Sequence, residues 1–209
     1  MAIKFVVMHQ QVFYIHGGSA FSQYGKFLHH LETTEIRYPH GDKPDMWPSS
    51  LRERLGDGYE VFTPRMPNSQ NAKYEEWKIW FERHFDFLRD GVILVGWSQG
   101  GYFLAKYLCE NKLPYQINAL YLVAAPIEPE DFVGEDGGDF NFDIEKLPNL
   151  AKQSSKICIF HSKDDFVVPY KHALKYKDQL PEAELVTFED KNHFLIEEFP
   201  ELIEKIKAS

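Results

Sequence analysis

The sequence predicts an α/β protein with a mostly parallel central sheet and helices on both faces. Three observations predict it. Short apolar runs rich in β-branched and aromatic residues recur along the 209 residues. Segments with helical period fall between most of them. At one junction a strand-like run passes into a helix-like run through Gly96-Trp97-Ser98-Gln99-Gly100.

In chain order, residues 1–9 hold a short apolar stretch without a signal-peptide cleavage pattern and read as a short strand. Residues 11–16 are the next strand, ending in a Gly17-Gly18 turn. His29 and His30 fall on an early helix. Residues 39–58 contain Pro39, Gly41, Pro44 and Pro48 and read as a loop with a helical turn or two at 50–55. Residues 59–63 form a strand. Tyr74, Trp77, Phe81, Phe85 and Leu88 recur at three- and four-residue spacing and make one apolar helix face. Trp77, Trp80 and Phe81 are expected in the core. Residues 92–97 form a strand, followed by a helix whose Leu104, Tyr107 and Leu108 share a face. Residues 119–123, 156–161 and 184–188 supply three more strands. His172, on the helix beginning near Pro169, is expected at the surface. Pro200 opens the last helix.

Residues 127–150 break the alternation. They are rich in Glu, Asp and Gly, with Phe132, Phe140 and Phe142 interspersed. They read either as a short cap or lid or as a solvated acidic loop. No repeat or low-complexity linker divides the chain, so residues 1–209 are expected to form a single domain.

Composition bounds the function. Hydrophobic residues make up 44% and aromatic residues 15%, enough for a sizeable core. A formal net charge of -9 and a pI near 5.5 argue against nucleic acid, which needs clustered Lys and Arg. No apolar run is long enough to span a bilayer, so no membrane partner is expected. Cys109 and Cys158 are the two cysteines, read as buried thiols rather than a disulfide framework. A cytoplasmic location fits them. The acidic 127–150 stretch lacks Ca²⁺-loop spacing, and neither a metal nor a cofactor is expected.

The 96–100 pentapeptide has the strand, Gly-x-Ser-x-Gly, helix context of a nucleophile elbow. Glycine two residues before and after the serine gives a tight turn the space it needs. Such a turn holds the Ser98 hydroxyl where it can attack an acyl carbon. A serine needs a base, and the base needs an orienting acid. Of the nine histidines, His161, His172 and His193 follow Ser98. His193 lies in a polar loop just past a strand and before the last helix, where a base could reach the elbow. Asp164 and Asp165 follow the strand that ends near His161, and adjacency lets only one of them serve as the acid. The Gln99 N–H at a helix start is the first oxyanion donor. A second is expected near Gly18, in the turn after residues 11–16.

Taken together, His16-Gly17-Gly18, the 96–100 elbow, residues 161–169 and Asn192-His193-Phe194 make the chain resemble the α/β-hydrolase superfamily over nearly its whole length. In that superfamily a His-Gly-x-x-Asp-x-x-Val-Pro segment carries the acid at its fifth position. Aligning His161 and Pro169 puts the acid at Asp165, with Ser162 where glycine is usual. Residues 59–68, 74–77 and 193–202 resemble the small serine hydrolases of the retinoblastoma-binding-protein and YdeN type. The resemblance implies a serine hydrolase that cleaves a small-molecule ester or amide through Ser98, His193 and Asp165. Its activity should fall once the pH is low enough to protonate His193. The same residues would serve a thioesterase or acyltransferase, and the scaffold alone would suit a non-catalytic binding protein.

Overall fold

Burial along the first strand explains the layering. Val12 and Tyr14 face one side of the sheet and Phe13 and Ile15 the other, and all four are buried. A strand that is apolar on both faces needs cover on both faces. The computed structural model, which describes residues 9–35, 46–129 and 135–209, supplies that cover.

Six strands form one sheet: β1 (Gln10–Ile15), β2 (Tyr59–Phe62), β3 (Val92–Trp97), β4 (Ile117–Val123), β5 (Ile157–Ser162) and β6 (Glu184–Phe188). Their order is β2-β1-β3-β4-β5-β6, and every neighbouring pair is parallel. The carboxyl ends of all six strands therefore lie along one edge, where open α/β sheets carry their ligand sites.

Two apolar clusters sandwich the sheet. On one face lie α2 (Trp47–Leu55) and α7 (Pro200–Lys207), through Trp47, Leu51, Leu55, Leu202 and Ile206. On the other lie α3 (Tyr74–Glu82), α4 (Gln99–Glu110), α5 (Leu147–Ala151) and α6 (Lys171–Gln179). Rings of this second cluster meet edge-on, as in Phe13–Phe81 at 5.4 Å and Phe81–Tyr107 at 5.1 Å. Such pairs add about 0.5–1.5 kcal/mol each beyond their buried area. The remaining helix, α1 (Tyr24–Thr33), buries no residue.

The helix α4 is buried from Gln99 to Cys109, because α3 and α5 cover the side turned away from the sheet. Its one buried cation, Lys106, is satisfied. The ammonium donates to Glu110 and to the Asn141 carbonyl, each at 2.7 Å, and sits 4.5 Å over the Tyr74 ring. Among the described residues no helix is long and apolar enough to cross a membrane.

Several expectations need correction. The helix in 39–58 begins at Trp47, with Pro48 in its first turn, and runs nine residues. The helix starting at Tyr74 stops at Glu82. The His84 N–H turns back to the Phe81 carbonyl, and a 3₁₀ turn (Phe85–Phe87) follows, from which Phe85 still packs on the core. Trp80 is 39% exposed, since it lies about a quarter turn from the Trp77 and Phe81 face. His172 is fully buried, its Nδ1 accepting the Ile127 N–H at 3.2 Å, because α6 turns His172, Ala173 and Tyr176 inward. In 127–150, Ile127, Phe140, Leu147 and Leu150 are core residues, so the far end of this stretch is fastened down. The strand expected in residues 1–9, together with Pro39, Gly41, Pro44 and Phe132, lies outside the described residues but for His9.

Candidate active site

At the end of β3 the chain must reverse into α4 within one residue, and Ser98 makes the turn at φ 53° and ψ -121°. A non-glycine residue persists there only where its surroundings over-determine it. They do. The Ser98 N–H donates to the Val123 carbonyl at 2.8 Å, and its own carbonyl accepts the Gly101 N–H at 2.9 Å. A Cβ on Gly96 would lie 2.6 Å from Gly101 Cα, and one on Gly100 would lie 2.2 Å from the Ile15 oxygen. Both glycines of the pentapeptide are thus demanded by backbone approach. Gly101 is too, since its Cβ would meet that of Ala125 at 2.5 Å.

The turn after β1 passes beside the serine. A Cβ on Gly17 would sit 3.3 Å from that of Ser98. The turn is bonded to the 66–72 segment: Ser19 N–H donates to Ser69 at 2.8 Å, and Ala72 N–H to Ser19 at 2.8 Å. His16 Nε2 accepts the Met66 N–H at 2.8 Å, so the ring proton is on Nδ1, which donates to the Gly17 carbonyl at 2.6 Å. The Ser19 and Ala20 N–H groups are taken, the latter by Glu135 at 3.2 Å. The Gly18 N–H has no acceptor among the described residues. The Gln99 N–H, at the first position of α4, is free of the helix ladder as every first-turn donor is.

From β5 and β6 come the carboxylate and the imidazole. Asp165 Oδ2 lies 2.9 Å from His193 Nδ1. Its Oδ1 accepts the N–H groups of Val167 and Val168 at 2.9 and 2.8 Å. The buried carboxylate thus has a partner at each oxygen. With Nδ1–H donating to Asp165, the His193 lone pair is at Nε2. The His193 loop is bonded to two indoles: Trp97 Nε1 donates to the His193 carbonyl at 3.0 Å and Trp47 Nε1 to the Phe194 carbonyl at 3.2 Å. Behind Asp165, buried His161 donates from Nε2 to the Val168 carbonyl at 2.8 Å. Burial holds its imidazole below the usual pKa.

Gly18, Ser98, Gln99 and His193 line one cavity of about 400 Å³, and Asp165 stands directly behind His193. The structure therefore brings together all five residues singled out from the sequence. It separates the two adjacent aspartates, because Asp164 points to the Asn192 N–H and not to the ring. Pro126, Val167, Val168 and Leu195 give the cavity apolar wall. Glu135 also lines it, and sequence reasoning had no means of picking that carboxylate from its acidic neighbours. Burial raises the Glu135 carboxyl above its usual range, against hydrogen bonds from Ser19 and the Ala20 N–H that lower it. Gly17, part of the turn read from the sequence, lines the cavity as well. The indole of Trp97 could not have been found, since nothing in the sequence pairs it with His193.

Comparison with known proteins identifies the family and the fold. YdeN of Bacillus subtilis is 26% identical over 172 residues, covering 79% of this chain and 88% of YdeN. The serine hydrolase RBBP9 of Rattus norvegicus is 28% identical over 153 residues, covering 72% of this chain and 78% of RBBP9. The crystal structure of the B. subtilis ydeN gene product superposes with a TM-score of 0.71 at 20% identity, covering 95% of this chain and 97% of that one. The fold is that of the α/β-hydrolases. The serine hydrolase family model matches residues 39–206, well over half of the sequence, and the chain belongs to that family.

Proposed function

We propose that this hydrolase cleaves small carboxylic esters or amides through an acyl-enzyme, with Ser98 as nucleophile, His193 as base and Asp165 as the orienting acid. The observation that carries the reading is the His193 Nδ1–Asp165 hydrogen bond of 2.9 Å behind a cavity that Ser98 and His193 line together. In this mechanism His193 Nε2 takes the Ser98 proton as the hydroxyl attacks the carbonyl carbon. Asp165 keeps the proton on Nδ1 and stabilises the imidazolium that forms. The tetrahedral oxyanion is bound by the N–H groups of Gln99 and Gly18, neither of which has an acceptor among the described residues. Each such donor contributes about 10²–10³ in rate. His193 then protonates the leaving group, and water attacks the acyl-enzyme with the roles reversed.

A fluorophosphonate probe with an ester turnover assay tests the assignment. Ser98→Ala is expected to lose labelling and to lower turnover by roughly 10⁴-fold or more. Labelling that persists in Ser98→Ala would sink the reading. Ester, thioester and amide substrates sharing one acyl group distinguish the leaving-group classes. Cys109 and Cys158 are buried thiols not joined to each other, which fits the cytoplasmic location expected from the sequence.

A further inference from the structure

Asp164 has no part in the proposed chemistry, yet its Oδ1 joins the loop after β5 to the loop that carries His193. It accepts a hydrogen bond from Ser162 Oγ at 2.5 Å and another from the Asn192 N–H at 2.8 Å. Ser162, fully buried, in turn accepts the Lys191 N–H at 2.9 Å. Two consecutive N–H groups immediately before His193 are thus held by two side chains of the neighbouring strand end. Alongside them the Lys163 N–H donates to the Phe188 carbonyl at 2.8 Å, carrying the β5–β6 pairing up to this point.

The His193 loop needs such fixing. Asn192 and Phe194, on either side of the histidine, have φ of 40° and 57°. Asn visits that region readily, but a bulky residue such as Phe194 stays there only when neighbouring contacts hold it. The Trp97 and Trp47 indoles hold the loop at the His193 and Phe194 carbonyls. The Ser162 and Asp164 contacts hold it on the amino-terminal side of the ring.

We propose that Ser162 and Asp164 are positioning residues, a two-link clamp that sets the backbone of His193 so that its ring meets Asp165 and the Ser98 side of the cavity together. The inference rests on the reading of His193 as base. The two aspartates divide the work: Asp165 orients the ring and Asp164 orients the backbone beneath it. Misplacement of a reacting group by about 1 Å costs on the order of 10²-fold in rate, so loosening this clamp reads out in kcat.

The test uses the full chain, a neutral p-nitrophenyl ester, and fluorophosphonate titration to count competent sites. Asp164→Ala is expected to lower kcat per titrated site at least tenfold, with KM within about twofold. Asp164→Asn keeps an oxygen that accepts both hydrogen bonds, and is expected to retain half or more of kcat. Ser162→Ala, which removes one buried oxygen, is expected to lower kcat as Asp164→Ala does. It stands alone if Asp164→Ala fails to fold by circular dichroism. Wild-type kcat in Asp164→Ala or Ser162→Ala overturns the clamp, as does an Asp164→Asn enzyme as slow as Asp164→Ala. Asp165→Asn, run in parallel, is expected to cost roughly 10⁴-fold. Should Asp164→Asn show that loss and Asp165→Asn stay active, the triad reading itself fails and Asp164 is the acid.

Discussion

Glu135 places a carboxylate in the cavity that Ser98 and His193 share, held by the Ala20 N–H at 3.2 Å. A fixed negative charge a few ångströms from a bound substrate is worth on the order of 1 kcal/mol or more where water is partly excluded. Neutral esters should therefore turn over roughly tenfold faster than anionic ones of the same size. Because burial raises the Glu135 carboxyl, it ionises later than an exposed glutamate, and the discrimination should grow as pH rises through its titration. Kinetics of a matched ester pair check this, with Glu135→Gln expected to narrow the ratio. An unchanged ratio in that variant would remove Glu135 from the specificity of the site. At the same scale, adjacency alone leaves Asp164 and Asp165 open, while the resemblance of residues 161–169 favours Asp165. The hydrogen bonds give the physical reason: Asp164 accepts from the Asn192 N–H and Asp165 meets His193 Nδ1.

Among the elements, α1 buries none of its residues, so packing does little to hold it. Its tether is Asp136, which accepts from the Ser22 N–H at 2.7 Å, the Ser22 hydroxyl at 2.6 Å and the Lys26 ammonium at 2.5 Å. Burial alone would raise the Asp136 carboxyl. The hydrogen bonds from Lys26, Ser22 and Gly138 outweigh it and bring the pKa from 3.8 down to about 2. A group lowered by folding stabilises fully above its unfolded pKa and stops doing so as pH falls through the folded one. The tether should hold above about pH 4 and be lost toward pH 2. Amide exchange in α1 should then lose protection in that window while β3 keeps it, and Asp136→Asn should remove the pH dependence. Equal protection in α1 at pH 2 and pH 5 would refute the tether.

For the molecule as a whole, the legible part is what periodicity encodes. The strands were readable because Val12 to Ile15 and Val92 to Val95 are continuous apolar runs, the mark of a sheet covered on both faces. Less legible were the features set by non-local contact: the early end of α3 at Glu82, the burial of His172, and the exposure of Trp80. Trp77 shows how far one core residue reaches. Fully buried, it packs edge-on against Phe103 and Phe140 and donates its indole N–H to Pro67 at 2.8 Å. It also lies 3.3 Å from where a Cβ on Gly18 would stand. Trp77→Ala should cost about 3–5 kcal/mol. For a chain of this size that lowers the melting temperature by about 6–20 °C, as a circular-dichroism melt would show. A change of under about 2 °C would mean that the cluster repacks without it.

The seam where β1, β3 and α4 meet also governs how this protein can diverge over generations. Every missense change at the Gly96, Gly100 or Gly101 codons adds a Cβ, and there it would meet backbone or Ala125 within 2.2–2.6 Å. Those positions are closed to drift. Leu195, which lines the same cavity from outside this seam, is half exposed. Descendants of this sequence can therefore change what they hydrolyse far more readily than how they hydrolyse it.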